Sequence, residues 1–71
     1  MISKEKILSK LGSKIRLVRK DKNITQVELA NSIGKDQQSI QRLESGKINP
    51  SYYYLLEVAE GLGVSIEELL S

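Results

Sequence analysis

The sequence predicts an all-α fold, a compact bundle of five short helices, and three observations carry that expectation. Apolar residues recur at spacings of three and four, and no stretch alternates with the period of two that a half-buried strand requires. Helix-breaking residues fall at regular intervals: Asn23, Gly34, Gly46, the Asn49-Pro50 pair and Gly63. Two capping boxes, Thr25 with Glu28 and Ser65 with Glu68, stand directly before apolar runs. At 71 residues the chain makes a single domain with a small core.

The first helix is expected over residues 3–22, where Ile7, Leu11, Ile15 and Val18 share a stripe. Gly12 interrupts it at a cost of about 1 kcal/mol relative to Ala, so regular helix is expected from about Leu11. Residues 1–10 are accordingly read as a basic, partly helical N-terminal extension and residues 11–71 as the domain proper. The second helix, 25–33, buries Leu29, Ala30 and Ile33, and Gly34 follows where a positive φ costs least. The third, 36–45, starts at an Asp36 cap and stops at Gly46. Only Ile40 and Leu43 in it are apolar, while Gln37, Gln38, Ser39, Gln41, Arg42 and Ser45 are polar. A helix with so narrow an apolar stripe is not present mainly for stability. Pro50 precludes helix through the next loop. Ser51 caps a fourth helix, 52–62, with Tyr52, Leu55, Leu56, Val58, Ala59 and Leu62 apolar and Tyr52 expected in the core. The Ser65 box opens a short fifth helix carrying Ile66, Leu69 and Leu70.

Composition narrows the chemistry. The chain has no Cys and no His, which removes disulfides, thiolate ligands, the commonest metal ligand and the commonest general base. Catalysis is not expected, nor any metal or cofactor. No apolar run approaches the roughly 20 residues that cross a bilayer, and the N-terminus lacks a signal-peptide pattern, so a cytoplasmic chain with no membrane partner is expected. Charge is divided. Residues 1–22 hold eight basic and two acidic side chains, 23–50 hold three of each sign, and 51–71 hold four acidic and no basic ones. One end can face a polyanion while the other meets protein or solvent. A solvated lysine-rich helix face gives the same tally, so charge alone does not choose between them.

The second and third helices, joined by a tight Gly-containing turn, have the geometry of a helix-turn-helix. Counting Gln26 as the first position, Leu29, Ala30, Ile33, Gly34, Ile40 and Leu43 fall at 4, 5, 8, 9, 15 and 18. Ala30 is small where the two helices cross, Gly34 supplies the turn, and the four larger apolar residues lock the interhelical angle. On the third helix, Gln37, Gln38, Gln41 and Arg42 lie opposite the Ile40/Leu43 stripe. An idle exposed face usually carries more Glu and Lys.

This pattern resembles the DNA-binding domain of the lambdoid phage repressors and Cro, and of the wider Xre family. The likeness runs from Leu11 to Leu70 and is carried by LGSKIRLVRKDKNITQVELANSIGKDQQSIQRLESGKINPS and LLEVAEGLGVSIEELL. Leu17, Val27 and the Tyr52-Tyr53-Tyr54 run depart from it. The resemblance implies that the third helix enters the major groove of double-stranded DNA, with Gln37, Gln38, Gln41 and Arg42 on base edges. Gln26 at the N-terminus of the second helix, Lys35 in the turn, and Lys47 with Asn49 after the third helix would contact phosphates. Arg19 and Glu44 would form a partly buried ion pair that orients the third helix. The expected function is a sequence-specific transcriptional regulator, a repressor acting as a homodimer on a two-fold operator. Tyr53, Leu69 and Leu70 are the candidates for the dimer contact. The competing reading is an antitoxin or protein-interaction module on the same fold.

Overall fold

The structure, a computed structural model, describes residues 2–71; Met1, the first residue of the expected extension, lies outside the described residues. Five helices follow one another: α1 Lys4–Asp21, α2 Gln26–Ser32, α3 Gln37–Glu44, α4 Tyr52–Leu62 and α5 Ile66–Leu70. No strand occurs among the described residues, and none of the helices is long and apolar enough to cross a membrane.

Each helix starts on a local signal. Ser3, Thr25, Asp36, Ser51 and Ser65 all hold extended backbone, and each side chain accepts a hydrogen bond from the amide three residues on. Each such bond satisfies one of the amides a helix start leaves orphaned, a contribution of about 1 kcal/mol. The Thr25 box closes on both sides: Glu28 N–H donates to Thr25 Oγ1 at 3.0 Å and Thr25 N–H donates to Glu28 Oε1 at 2.8 Å. The amide and hydroxyl of Thr25 hold the Glu28 carboxyl below its ordinary value of 4.5. A depressed carboxyl stabilises the fold above its unfolded value, and that contribution is lost as pH falls through the folded value. Glu28→Gln should therefore melt below wild type at pH 7, and the two should converge as pH falls below the lowered folded-state value. A gap of constant size across that range would remove the ionised carboxylate from the cap.

The core is formed by Ile15 of α1, Leu29 and Ala30 of α2, Ile40 and Leu43 of α3, Leu55, Val58, Ala59 and Leu62 of α4, and Leu69 of α5. The helix-turn-helix pair packs on α1 on one side and α4 on the other, and α5 closes against α1 and α4.

Four sequence expectations change. The boundary at residue 10 is absent, because α1 runs unbroken from Lys4 through Gly12. Gly12 is where α3 crosses: a Cβ built there would stand 2.6 Å from the Leu43 carbonyl oxygen. Three residues earlier, Ser9 backs Gly46, whose φ of 74° and lack of a side chain let the end of α3 turn against α1. The glycine that weakens α1 in isolation thus lies at a docking point that holds it. Second, Ile7 is half exposed rather than core, since the buried stripe of α1 begins with Leu11. Third, Tyr52 is exposed and Tyr54 is the inward tyrosine. Both flank the buried 55-58-59-62 stripe, but α3 covers only the Tyr54 side, where Tyr54 Oη meets Ser39 Oγ at 2.8 Å. Fourth, Leu69 is buried in its own chain at 1% exposure by packing on α1, which withdraws it as a dimer-contact candidate and leaves Tyr53 and Leu70, both exposed.

Candidate nucleic-acid interface

The site is built on α3. Ile40 and Leu43 are wholly buried, and helical geometry then forces Gln37, Gln38, Gln41 and Arg42 outward; all four are exposed. Asp36 fixes the first turn by accepting from Ser39 N–H at 2.8 Å. Gln38 and Arg42 border a shallow depression completed by Asp36, Ser39 and Ile48.

Behind that face runs a hydrogen-bonded chain. Arg19 Nε donates to Glu44 Oε2 at 2.6 Å and Arg19 Nη2 to Glu44 Oε1 at 3.0 Å, a bidentate pair joining α1 to the end of α3. The third guanidinium nitrogen, Nη1, donates to the Ile24 carbonyl at 2.7 Å, so the same side chain also pins the loop into α2. Arg19 and Glu44 are 7% and 6% exposed. No buried side-chain nitrogen or oxygen among the described residues lacks a partner. Desolvating this pair is thus offset by complete hydrogen bonding.

The chain continues outward. Gln26 Nε2 donates to Glu44 Oε1 at 3.0 Å, and Gln26 Oε1 accepts from Gln37 Nε2 at 3.5 Å. Gln26, expected only at a phosphate, is therefore also the link between the buried carboxylate and the first residue of α3. This role has no signature in sequence, because Gln26, Gln37 and Glu44 lie on two different helices and meet only once α2 and α3 cross.

Lys35 is the other departure. Its ammonium stands 3.8 Å from Glu57 Oε1 and 5.3 Å from the centre of the Tyr54 ring, so it is drawn toward α4. Both partners are solvated enough for this to be a weak tether. Lys47 and Asn49 follow α3 in the loop to α4 and are exposed. Gln26, Gln37 and the Arg19–Glu44 pair thus form one connected unit, while Lys35, Lys47 and Asn49 stand apart from it.

Comparison with known proteins agrees with this geometry. The family described as helix-turn-helix matches residues 15–69. The chain is 39% identical over 61 residues to y4dJ, an uncharacterised HTH-type transcriptional regulator of Sinorhizobium fredii, covering 86% of this chain and 79% of that one. The restriction-modification controller protein C.AhdI of Aeromonas hydrophila superposes with a TM-score of 0.84 at 32% identity, over 87% of this chain and 94% of that one. A second controller protein, C.Esp1396I, solved as a tetramer in complex with its natural 35 base-pair operator, gives a TM-score of 0.78 at 30% identity, over 92% and 96%. Sequence pattern, five-helix architecture and these relatives agree: the chain belongs to the helix-turn-helix family of transcriptional regulators, of the Xre, Cro and phage-repressor type.

Proposed function

We propose that this chain is a cytoplasmic, sequence-specific double-stranded DNA-binding repressor that acts as a homodimer on a two-fold operator and carries no enzymatic activity. The observation that carries the reading is the outward face of α3. Four polar side chains with base-pairing chemistry project from a helix whose other side is locked to α1, α2 and α4. Gln matches adenine N6/N7, and Arg matches guanine O6/N7. Affinity would come from phosphates, with Gln26, Lys47 and Asn49 as contacts and Lys35 joining them by leaving Glu57. A homodimer follows from the size of the readout, since one α3 covers too few base pairs to find a unique site. Repression follows from occupancy: a regulator seated across promoter DNA excludes polymerase from it.

Selection of a preferred site from random duplexes tests this directly, and a palindromic consensus is expected. On the selected site, Gln37→Ala and Arg42→Ala should each weaken binding by about 1–3 kcal/mol and relax preference at one position per half-site. Lys47→Ala should weaken binding to every sequence alike and flatten the salt dependence. If both α3 variants bound the selected site like wild type, the readout assignment would be wrong.

A further inference from the structure

We propose that Ile48, in the loop after α3, reads the C5-methyl group of a thymine in the major groove, seated in the depression that Ile48 shares with Gln38 and Arg42. This assignment rests on the DNA-readout reading above. It adds a base-reading residue outside α3 and fixes one preferred base.

The larger, mostly apolar groove between α1 and α5 encloses about 590 Å³ and shares no residue with α3. The depression beside α3 is smaller, about 250 Å³, and is lined by Asp36, Gln38, Ser39, Arg42 and Ile48. Gln38 and Arg42 are four residues apart, about 40° of arc, so they stand one above the other along one edge of the outward face. Gln37 and Gln41 form the other edge, about 100° away. The two edges have different neighbours. Gln26 meets the first through its hydrogen bond with Gln37 at 3.5 Å. Ile48 flanks the second.

Ile48 is the one apolar side chain in this lining. It is half-buried and packs against the core, so part of its surface is fixed in place while the rest borders the depression. Its chain neighbours Lys47 and Asn49 are exposed and are the phosphate contacts proposed above, which brings this loop against the DNA.

The chemistry of the wall selects the occupant. Asp36 Oδ1 accepts from Ser39 N–H at 2.8 Å, and Ser39 Oγ meets Tyr54 Oη at 2.8 Å, so these polar groups already serve the fold. The negative charge of Asp36 opposes a phosphate oxygen, which leaves a base edge as the part of DNA that fits. In the major groove base pairs offer one apolar group, the thymine C5-methyl. Set against Ile48, that methyl leaves water, while Gln38 and Arg42 on either side stay free to pair with neighbouring bases.

A thymine-to-deoxyuridine scan of the selected site tests this, because the exchange deletes the methyl and keeps the pairing edge. For wild type one thymine per half-site should respond, beside the base pair whose preference Arg42→Ala relaxes, and its exchange should weaken binding about fourfold per half-site. In Ile48→Ala the same exchange should cost almost nothing, and Ile48→Val should lie between. Each comparison is a ratio of two affinities of one protein, so a lower folded fraction in a variant cancels. A site at which no exchange weakens binding would overturn the Ile48 assignment and leave the readout by α3 intact. So would a sensitivity that persists in Ile48→Ala and disappears in Gln38→Ala. Failure to select any preferred sequence would overturn the readout itself, and the Ile48 assignment with it.

Discussion

Glu44→Ala should be the most damaging single substitution in this chain, although Glu44 is not among the α3 side chains expected on base edges. The change leaves Arg19 almost fully buried with only the Ile24 carbonyl for a partner. Stranding one member of a buried pair costs about 3–5 kcal/mol. A domain of this length has roughly 4–11 kcal/mol in total, so much of its stability would be lost. Each kcal/mol shifts the midpoint of so small a domain by about 4–8 °C, which puts the expected drop at about 15 °C or more. Operator affinity should fall further than the folded fraction alone explains, because Gln26 loses its acceptor and Gln37 loses its support. Two controls separate the causes. Glu44→Gln keeps an acceptor for Arg19 and should recover part of the loss. Arg19→Met with Glu44→Leu removes both charges and should recover most of the stability while leaving α3 less firmly oriented, so its operator binding should lag behind its melting temperature. An unchanged melting temperature for Glu44→Ala would return the pair to the status of two surface charges.

Gly12→Ala is expected to be nearly as costly, against the direction that helix propensity gives. Ala in place of a helical Gly normally gains about 1 kcal/mol. Here the new methyl would meet the Glu44 carbonyl and lie 2.6 Å from the Leu43 carbonyl oxygen. Those atoms are backbone at the end of α3, so relief requires α1 and α3 to move apart. Overpacking a well-filled contact costs about 1–3 kcal/mol, and more where rigid backbone is struck. The separation would also stretch the Arg19–Glu44 bridge, which spans the same two helices. A calorimetric midpoint several degrees below wild type is the expected result, accompanied by weaker operator binding. A midpoint equal to or above wild type would mean that the α1–α3 crossing is looser than its geometry implies.

The local punctuation of the fold was legible in the chain. Thr25, Asp36, Ser51 and Ser65 cap the helices expected from them, and Gly34, Gly46 and Gly63 take the left-handed backbone at their ends. Cap and turn are written within four residues of one another, so no distant contact is needed to read them. The outward set on α3 was legible for a similar reason, since Ile40 and Leu43 are the only apolar residues in it and leave one choice of face.

Other features depended on what covers a face. Tyr52 and Tyr54 flank the same stripe at comparable angles, and only the presence of Ser39 and Lys35 on one side makes Tyr54 the inward one. Ile7 fits the α1 stripe by spacing but extends beyond the part of α1 that the core covers. Leu69 and Leu70 are neighbours of equal hydrophobicity, and α1 buries one and leaves the other at the groove.

The sequence by itself determined an all-α chain, its five helices and their caps, and which face of α3 is polar and turned outward, because each is set by periodicity or by bonds between near neighbours. The tertiary structure alone decided that α1 is continuous through Gly12, that Gln26 ties Glu44 to Gln37, and that α1 and α5 enclose a mostly apolar groove. The physical reason is the same in each case. The carbonyls at the end of α3, the carboxylate of Glu44 and the edge of α5 lie at least 18 residues along the chain from their partners, and only folding brings them within range.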